Sequence, residues 1–196
     1  LNYFRKVSSF DPTTPSPISL DNDFPKTETD IGDLHQKIAR ETTAQPHLSG
    51  IREFNGLNLR TLVEQFDGEL GSARMLDIGA SIHGFALDEA DRLGIHQYVG
   101  IDLDVARKWG SNVVSITNDE RVHFLCQMDA HRLWFEDNSA DLILCLSGFE
   151  HYLYPEIVIN EVLRVLKPGG IALINYEPIW TCSYGHHLHH FGIGEE

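Results

Sequence analysis

A chain of 196 residues, 42% of them hydrophobic, is long enough to bury a sizeable core within one domain. Its 15 Lys and Arg against 29 Asp and Glu leave a formal charge of −14, so an extended nucleic-acid surface, which needs clustered cations, is not expected. Neither a membrane-length apolar run nor a charged-then-apolar leader is visible, and the expectation is a soluble, cytoplasmic protein.

Residues 1–50 have little helical or strand periodicity, and Asp11-Pro12-Thr13-Thr14-Pro15-Ser16-Pro17 marks an irregular segment. They are expected to form an irregular extension or a lid, with one short helix over 30–40 capped by Asp30 and carrying Ile31, Leu34 and Ile38 on one side. Residues 51–196 are then the ligand-binding domain. It opens on a helix from Ile51 to Phe66, because Leu59, Leu62, Val63 and Phe66 recur at helical spacing before Asp67-Gly68.

The next stretch, Met75-Leu76-Asp77-Ile78-Gly79-Ala80-Ser81-Ile82-His83-Gly84, reads as a buried parallel strand that runs into an acid and then a glycine turn. A helix follows, with Phe85, Ala86, Ala90 and Leu93 on one face and Gly94 as its stop, and then a strand from Gln97 to Ile101 ending on Asp102. Strand, glycine turn, helix, strand and acid make a nucleotide-binding unit, in which the second carboxylate lies about 20 residues on and accepts from ribose hydroxyls. A dinucleotide site wants G-x-G-x-x-G, and from Gly79 this chain offers G-A-S-I-H-G without the middle glycine, which weakens a pyrophosphate reading.

Further along, Asp104 is placed as the cap of a helix with apolar positions Val105, Trp109, Val113 and Ile116. Arg121 to Gln127 reads as a strand leading to Met128-Asp129-Ala130, and Asp141 opens another after a turn over 137–139. The run from Glu156 reads as an amphipathic helix that Pro168 ends, and Gly169-Gly170 turn the chain into a last strand from Ile171 to Tyr176. Five strands alternating with helices define an α/β class, an open, mostly parallel, doubly wound sheet. Ligands collect at the carboxyl ends of such strands, so Asp77 to Gly84, Asp102, Asp129 and Ser147 to His151 should converge on one crevice. Cys126, Cys145 and Cys182 are odd in number and scattered, which suits free thiols.

Leu76-Asp77-Ile78-Gly79 and Gly100-Ile101-Asp102 resemble the first two motifs of the class I S-adenosylmethionine-dependent methyltransferases, with Ala80-Ser81 and the late Gly84 as departures. Leu133 to Asp141 is similar to the L-P-F-x-D-x-S-F-D run of the small-molecule branch of that family, Trp134 replacing the proline. Arg164-Val165-Leu166-Lys167-Pro168-Gly169-Gly170 is a further signature, structural in nature, and the resemblance spans about residues 55 to 177. It implies a Rossmann-like fold that binds S-adenosyl-L-methionine through Asp77, Gly79, Ala80, Ser81, Gly84, Asp102, Leu103, Met128, Asp129, Ala130 and Ser147. Asp129 would hold the adenine amine between Met128 and Ala130. It also implies in-line transfer of a methyl group to an oxygen, nitrogen or carbon of a small molecule, without a metal.

His151, His186 and His187 are the candidates for a base, set against the plainer reading of a solvated histidine-rich loop. Two other functions compete: a cofactor-binding scaffold without turnover, and a nicotinamide-dependent oxidoreductase. Members of the resembled family usually add an antiparallel sixth and seventh strand. Because the chain starts on Leu1 and stops soon after the fifth strand, a piece of a longer protein is expected. Oligomeric state is not legible.

Overall fold

The computed structural model describes residues 26–45, 47–118 and 121–176. Strand β1 (Lys26–Asp30) passes into helices α1 (Ile31–Ala44) and α2 (His47–Glu64), followed by β2 (Arg74–Ile78), α3 (Leu87–Arg92), β3 (Gln97–Asp102) and α4 (Val105–Trp109). Then come β4 (Val113–Thr117), β5 (Val122–Gln127), β6 (Ala140–Leu146), α5 (Pro155–Val165) and β7 (Leu166–Asn175). The strands form one sheet in the order β1-β4-β5-β3-β2-β6-β7. All neighbours are parallel except β4 and β5, which run antiparallel.

The expected α/β doubly wound sheet is therefore present, with two strands beyond the five expected. One is β1, whose edge pairing with β4 puts regular structure inside the first 50 residues, and α2 runs straight through residue 50. The other is β4, which overturns the reading of Val113 and Ile116 as helical. Gly110 takes a left-handed φ of 69° and ends α4 by donating to the Ala106 carbonyl. Beyond it the β-branched run Val113-Val114-Ser115-Ile116-Thr117 suits a pleated surface that is buried almost throughout. Asp104 makes no side-chain cap at α4 either; its backbone N–H donates to Asp102.

Strand alternation divides the core in two. Met75, Tyr98, Leu142 and Leu144 face a cluster with Leu34 of α1, Leu59 and Leu62 of α2, and Leu87 and Ala90 of α3. Leu76, Ile78, Val99, Ile143 and Cys145 face the other way, onto Val158, Val162 and Val165 of α5. Burying each of these large side chains contributes about 1.5–3 kcal/mol, and the near-continuous apolar strands follow from both faces being covered. Cys126 and Cys145 are buried free thiols, and burial pushes both up to about 12; Cys182 lies outside the described residues. At β7 the register slips, Ala140 opposing Leu166 while Leu142 opposes Ile171. The intervening Lys167-Pro168-Gly169-Gly170 lies within β7 as a bulge and not as the expected turn before it, with Gly169 at φ 83° and Lys167 paired to Asp141 at 2.8 Å. No helix among the described residues is long and apolar enough to cross a membrane.

Candidate active site

The carboxyl ends of β5, β3, β2, β6 and β7 lie along one edge of the sheet and are stitched together there. Gly79 and Ala80 both donate to the Ile101 carbonyl at 3.0 Å, Met128 donates to the Asp102 carbonyl at 3.2 Å, and Ser147 donates to the Asn175 carbonyl at 3.0 Å. The turn after β2 needs left-handed backbone at Gly79 (φ 75°), Ser81 (φ 62°) and Gly84 (φ 60°). Ser81 thus adopts the conformation that glycine would provide, and the departure at that position leaves the shape of the turn intact at a cost of about 1–2 kcal/mol. The turn is pinned from α4, where the Trp109 indole N–H donates to the Ile82 carbonyl at 2.9 Å. Lys37 in turn sits 3.5 Å over the Trp109 ring.

Asp102 stands at the tip of β3, half-buried, with backbone N–H groups of Asp104, Ser81 and Leu103 donating to its carboxylate. Burial nevertheless raises its pKa overall. Leu103 beside it is 42% exposed. Asp77 is placed differently from Asp102. It is 2% exposed, lies within β2, and accepts a 2.6 Å hydrogen bond from the buried Tyr98 hydroxyl at Oδ2. Burial pushes Asp77 up to about 7, against the opposing pull of that hydrogen bond, and Asp102 nearby adds to the rise.

At the tip of β5, Asp129 Oδ1 is held 2.7 Å from His131 Nδ1 and also accepts from the His131 backbone N–H at 2.9 Å. His131 Nε2 accepts from the Tyr154 backbone N–H at 3.3 Å, which makes Nδ1 the protonated nitrogen in the neutral ring. Met128 and Ala130, expected to flank a ring, pack into the core cluster on the α5 side at 5% and 7% exposure, and only Asp129 between them is open to the edge. Alternation along an extended segment accounts for this.

Ser147, at the tip of β6, is exposed with φ 49°. His151 closes the short 3-10 turn Phe149–His151 that follows and is exposed. The next residue, Tyr152, reaches back instead: its hydroxyl stands 3.4 Å from where a Cβ on Gly79 would lie and 3.7 Å from Cys145 Sγ. Desolvation raises its pKa far above the ordinary phenol value, so it acts as a neutral group. His186 and His187 lie outside the described residues.

A cavity of about 590 Å³ opens at the tips of β2 and β6 and is roofed by α2. Gly79, Ser81 and Ser147 bound it on the strand side, Leu48, Ile51, Phe54 and Asn55 on the helix side, and Ile82, His83, Phe85 and Leu146 complete it. Arg52 pairs with Asp88, and Arg60 with Glu89 at 2.8 Å, fastening α2 to α3. Tyr152, His131, Asn55 and His83 were not singled out from the sequence. Asn55 had a visible signal, since it falls on the spacing that Leu59, Leu62 and Phe66 define as the inward stripe of the helix.

A mostly parallel sheet whose strand order reverses at β2, with a glycine turn and an acid on the adjoining tip, defines an α/β protein of the doubly wound class, in which ligands collect at such a switch point. Comparison with known proteins narrows this. Residues 76–174 match the family model described as a methyltransferase domain, and the chain belongs to that family, within the class I S-adenosylmethionine-dependent methyltransferases. It is 32% identical over 180 residues to phosphoethanolamine N-methyltransferase 2 of Caenorhabditis elegans, covering 87% of this chain and 38% of the relative. It is 33% identical over 119 residues to demethylmenaquinone methyltransferase of Deinococcus radiodurans, covering 57% and 46%. The chain thus spans less than half the length of either relative. A solved methyltransferase-type structure from Methanococcus maripaludis superposes with a TM-score of 0.52 at 18% identity, over 74% of this chain and 63% of that one, a likeness of fold.

Proposed function

We propose that the chain transfers a methyl group from S-adenosyl-L-methionine to an oxygen, nitrogen or carbon of a small-molecule acceptor. The observation that carries this is the edge formed by the Gly79 to Ser81 turn and the Asp102 carboxylate, with a cavity beginning where that edge ends. The residues present fit the donor. Asp102, oriented by backbone N–H groups, has acceptor capacity left for ribose hydroxyls, and Asp129, steadied by His131, suits an exocyclic amine. Gly79, Ser81 and Ser147 bound the space between, while Ala80 and Gly84 are buried and shape the turn from behind, and the exposed Leu103 offers an apolar contact. When bound, S-adenosyl-L-methionine supplies a methyl group on a sulfonium, activated for in-line displacement.

The work left to the protein is alignment, exclusion of water and removal of a proton from those acceptors that carry one. The α2 roof and the apolar wall of Phe54, Phe85 and Leu146 serve the first two. His151, with His186 and His187, remains the proposed base set. The test is calorimetry with S-adenosylhomocysteine, followed by transfer of a labelled methyl group. Asp102→Ala should weaken binding about 10- to 100-fold, the value of hydrogen bonds to a charged group. Unchanged affinity would remove Asp102 from the site.

One observation favours a second reading, binding without turnover: the Tyr152 hydroxyl stands over Gly79 and narrows the approach to the turn. Tight binding with no transfer to any acceptor, restored by Tyr152→Ala, would select it.

A further inference from the structure

The α2 roof of the cavity carries one polar side chain that makes no bond within the described residues. Asn55 is 9% exposed, lies on the inward stripe of α2 and lines the cavity. Its carboxamide offers two N–H donors and a carbonyl oxygen, yet it has no hydrogen-bond partner among the described residues. The amide is not among the sealed, partnerless polar atoms of the described residues, so it is reached from the cavity, whereas leucine at the same position would simply extend the apolar stripe.

The rest of the wall is equally telling. No Lys, Arg, Asp or Glu lines the cavity among the described residues, and its only titratable lining group is His83, stacked on Phe85 at 4.9 Å between ring centroids. A phosphate or ammonium group would lose hydration there without meeting an opposite charge from the described residues.

Building on the methyl-transfer reading, we infer that the acceptor is an uncharged, largely apolar molecule with one hydroxyl or carbonyl, and that Asn55 reads that group. The amide can donate to a carbonyl or accept from a hydroxyl, so it fixes the acceptor's orientation without choosing its charge. The apolar body then packs against Ile51, Phe54 and Leu146, and the cavity has room for a bicyclic ring.

The test uses the full chain loaded with S-adenosylhomocysteine, and calorimetric titration with 1-naphthol and, separately, phosphoethanolamine. Expected are binding of 1-naphthol and weaker or undetected binding of phosphoethanolamine. Asn55→Leu should reduce 1-naphthol affinity about tenfold, the loss of one buried hydrogen bond. The same variant should keep its affinity for S-adenosylhomocysteine and unfold at the same or a higher temperature, and Asn55→Gln should recover part of the loss. Three results overturn the inference: phosphoethanolamine binding as well as 1-naphthol, Asn55→Leu binding 1-naphthol as wild type does, or Asn55→Leu losing affinity for S-adenosylhomocysteine, which would make Asn55 part of the donor site. A wild-type chain that fails to bind S-adenosylhomocysteine strikes at the methyl-transfer reading itself.

Discussion

Asp77 shows how burial decides the chemistry of a single residue. Its pKa is pushed up to about 7 from 3.8, so between those values the folded protein holds a proton that the unfolded chain has released. The contribution is fully present below about pH 4 and is lost as pH rises to about 7. A shift of this size corresponds to roughly 4 kcal/mol over that window. Asp77→Asn keeps an acceptor for the Tyr98 hydroxyl and removes the titration. Urea unfolding of both proteins should therefore diverge as pH rises from about 4 to 7, the variant becoming the more stable, and parallel curves would show that Asp77 ionises normally. Motif reading located this residue correctly in β2 but not its partner, because nothing in spacing indicates that the Tyr98 ring crosses from the neighbouring strand. Ser81 is the converse case. Its side chain breaks the expected pattern while its backbone obeys it, and only coordinates distinguish the two.

Among the elements, α5 is tied to the loop before β6 by one side chain. Arg164 donates from Nε and Nη2 to Glu161, from Nη1 to the Phe135 carbonyl and Asp137, and from Nη2 to the Leu133 carbonyl, at 2.7–2.8 Å throughout. All five guanidinium N–H groups are thereby used, and lysine, with three donors on a single nitrogen, cannot span the same set. Arg164→Lys should cost about 1–3 kcal/mol, since two part-buried carbonyls lose charge-assisted donors. A midpoint shift in urea with unchanged slope is the expected sign, and an unaltered midpoint would reduce the cluster to surface decoration. The same α5 was legible in the sequence from its periodicity, although it ends at Val165, short of Pro168, where Leu166 already turns extended and enters β7. Strand β4 was not, because Val105, Trp109, Val113 and Ile116 satisfy helical spacing while the residues between 113 and 117 satisfy strand chemistry. The decision fell to Gly110, whose left-handed turn stops α4 and lets β4 run back against β5. Strand β1 was missed for another reason: Lys26-Thr27-Glu28-Thr29-Asp30 contains no apolar residue, and pairing with β4 gives it an edge place that hydrophobic pattern does not reveal.

At the scale of the molecule, five of the seven strands and the edge that brings Asp102 and Asp129 together follow from the sequence, because parallel strands buried on both faces leave long apolar runs. The cavity does not, since its roof comes from α2 and its floor from strands distant in the chain. A ligand that binds only the folded state stabilises it by mass action, by about 2.7 kcal/mol at a hundred times its Kd. S-adenosylhomocysteine at such excess should raise the unfolding temperature, and NAD should not. A shift with NAD alone would return the oxidoreductase reading to the lead. The buried sulfurs extend this to local opening. A thiol raised to about 12 is ionised in roughly one molecule in a hundred thousand at neutral pH, so Cys126 and Cys145 are chemically mute while the sheet stays closed. Cys145 lies in β6 beside the Tyr152 hydroxyl, whereas Cys126 belongs to β5. Alkylation kinetics at the two positions would time the breathing of two parts of one sheet separately, with the native cysteines as stopwatches and no label engineered in.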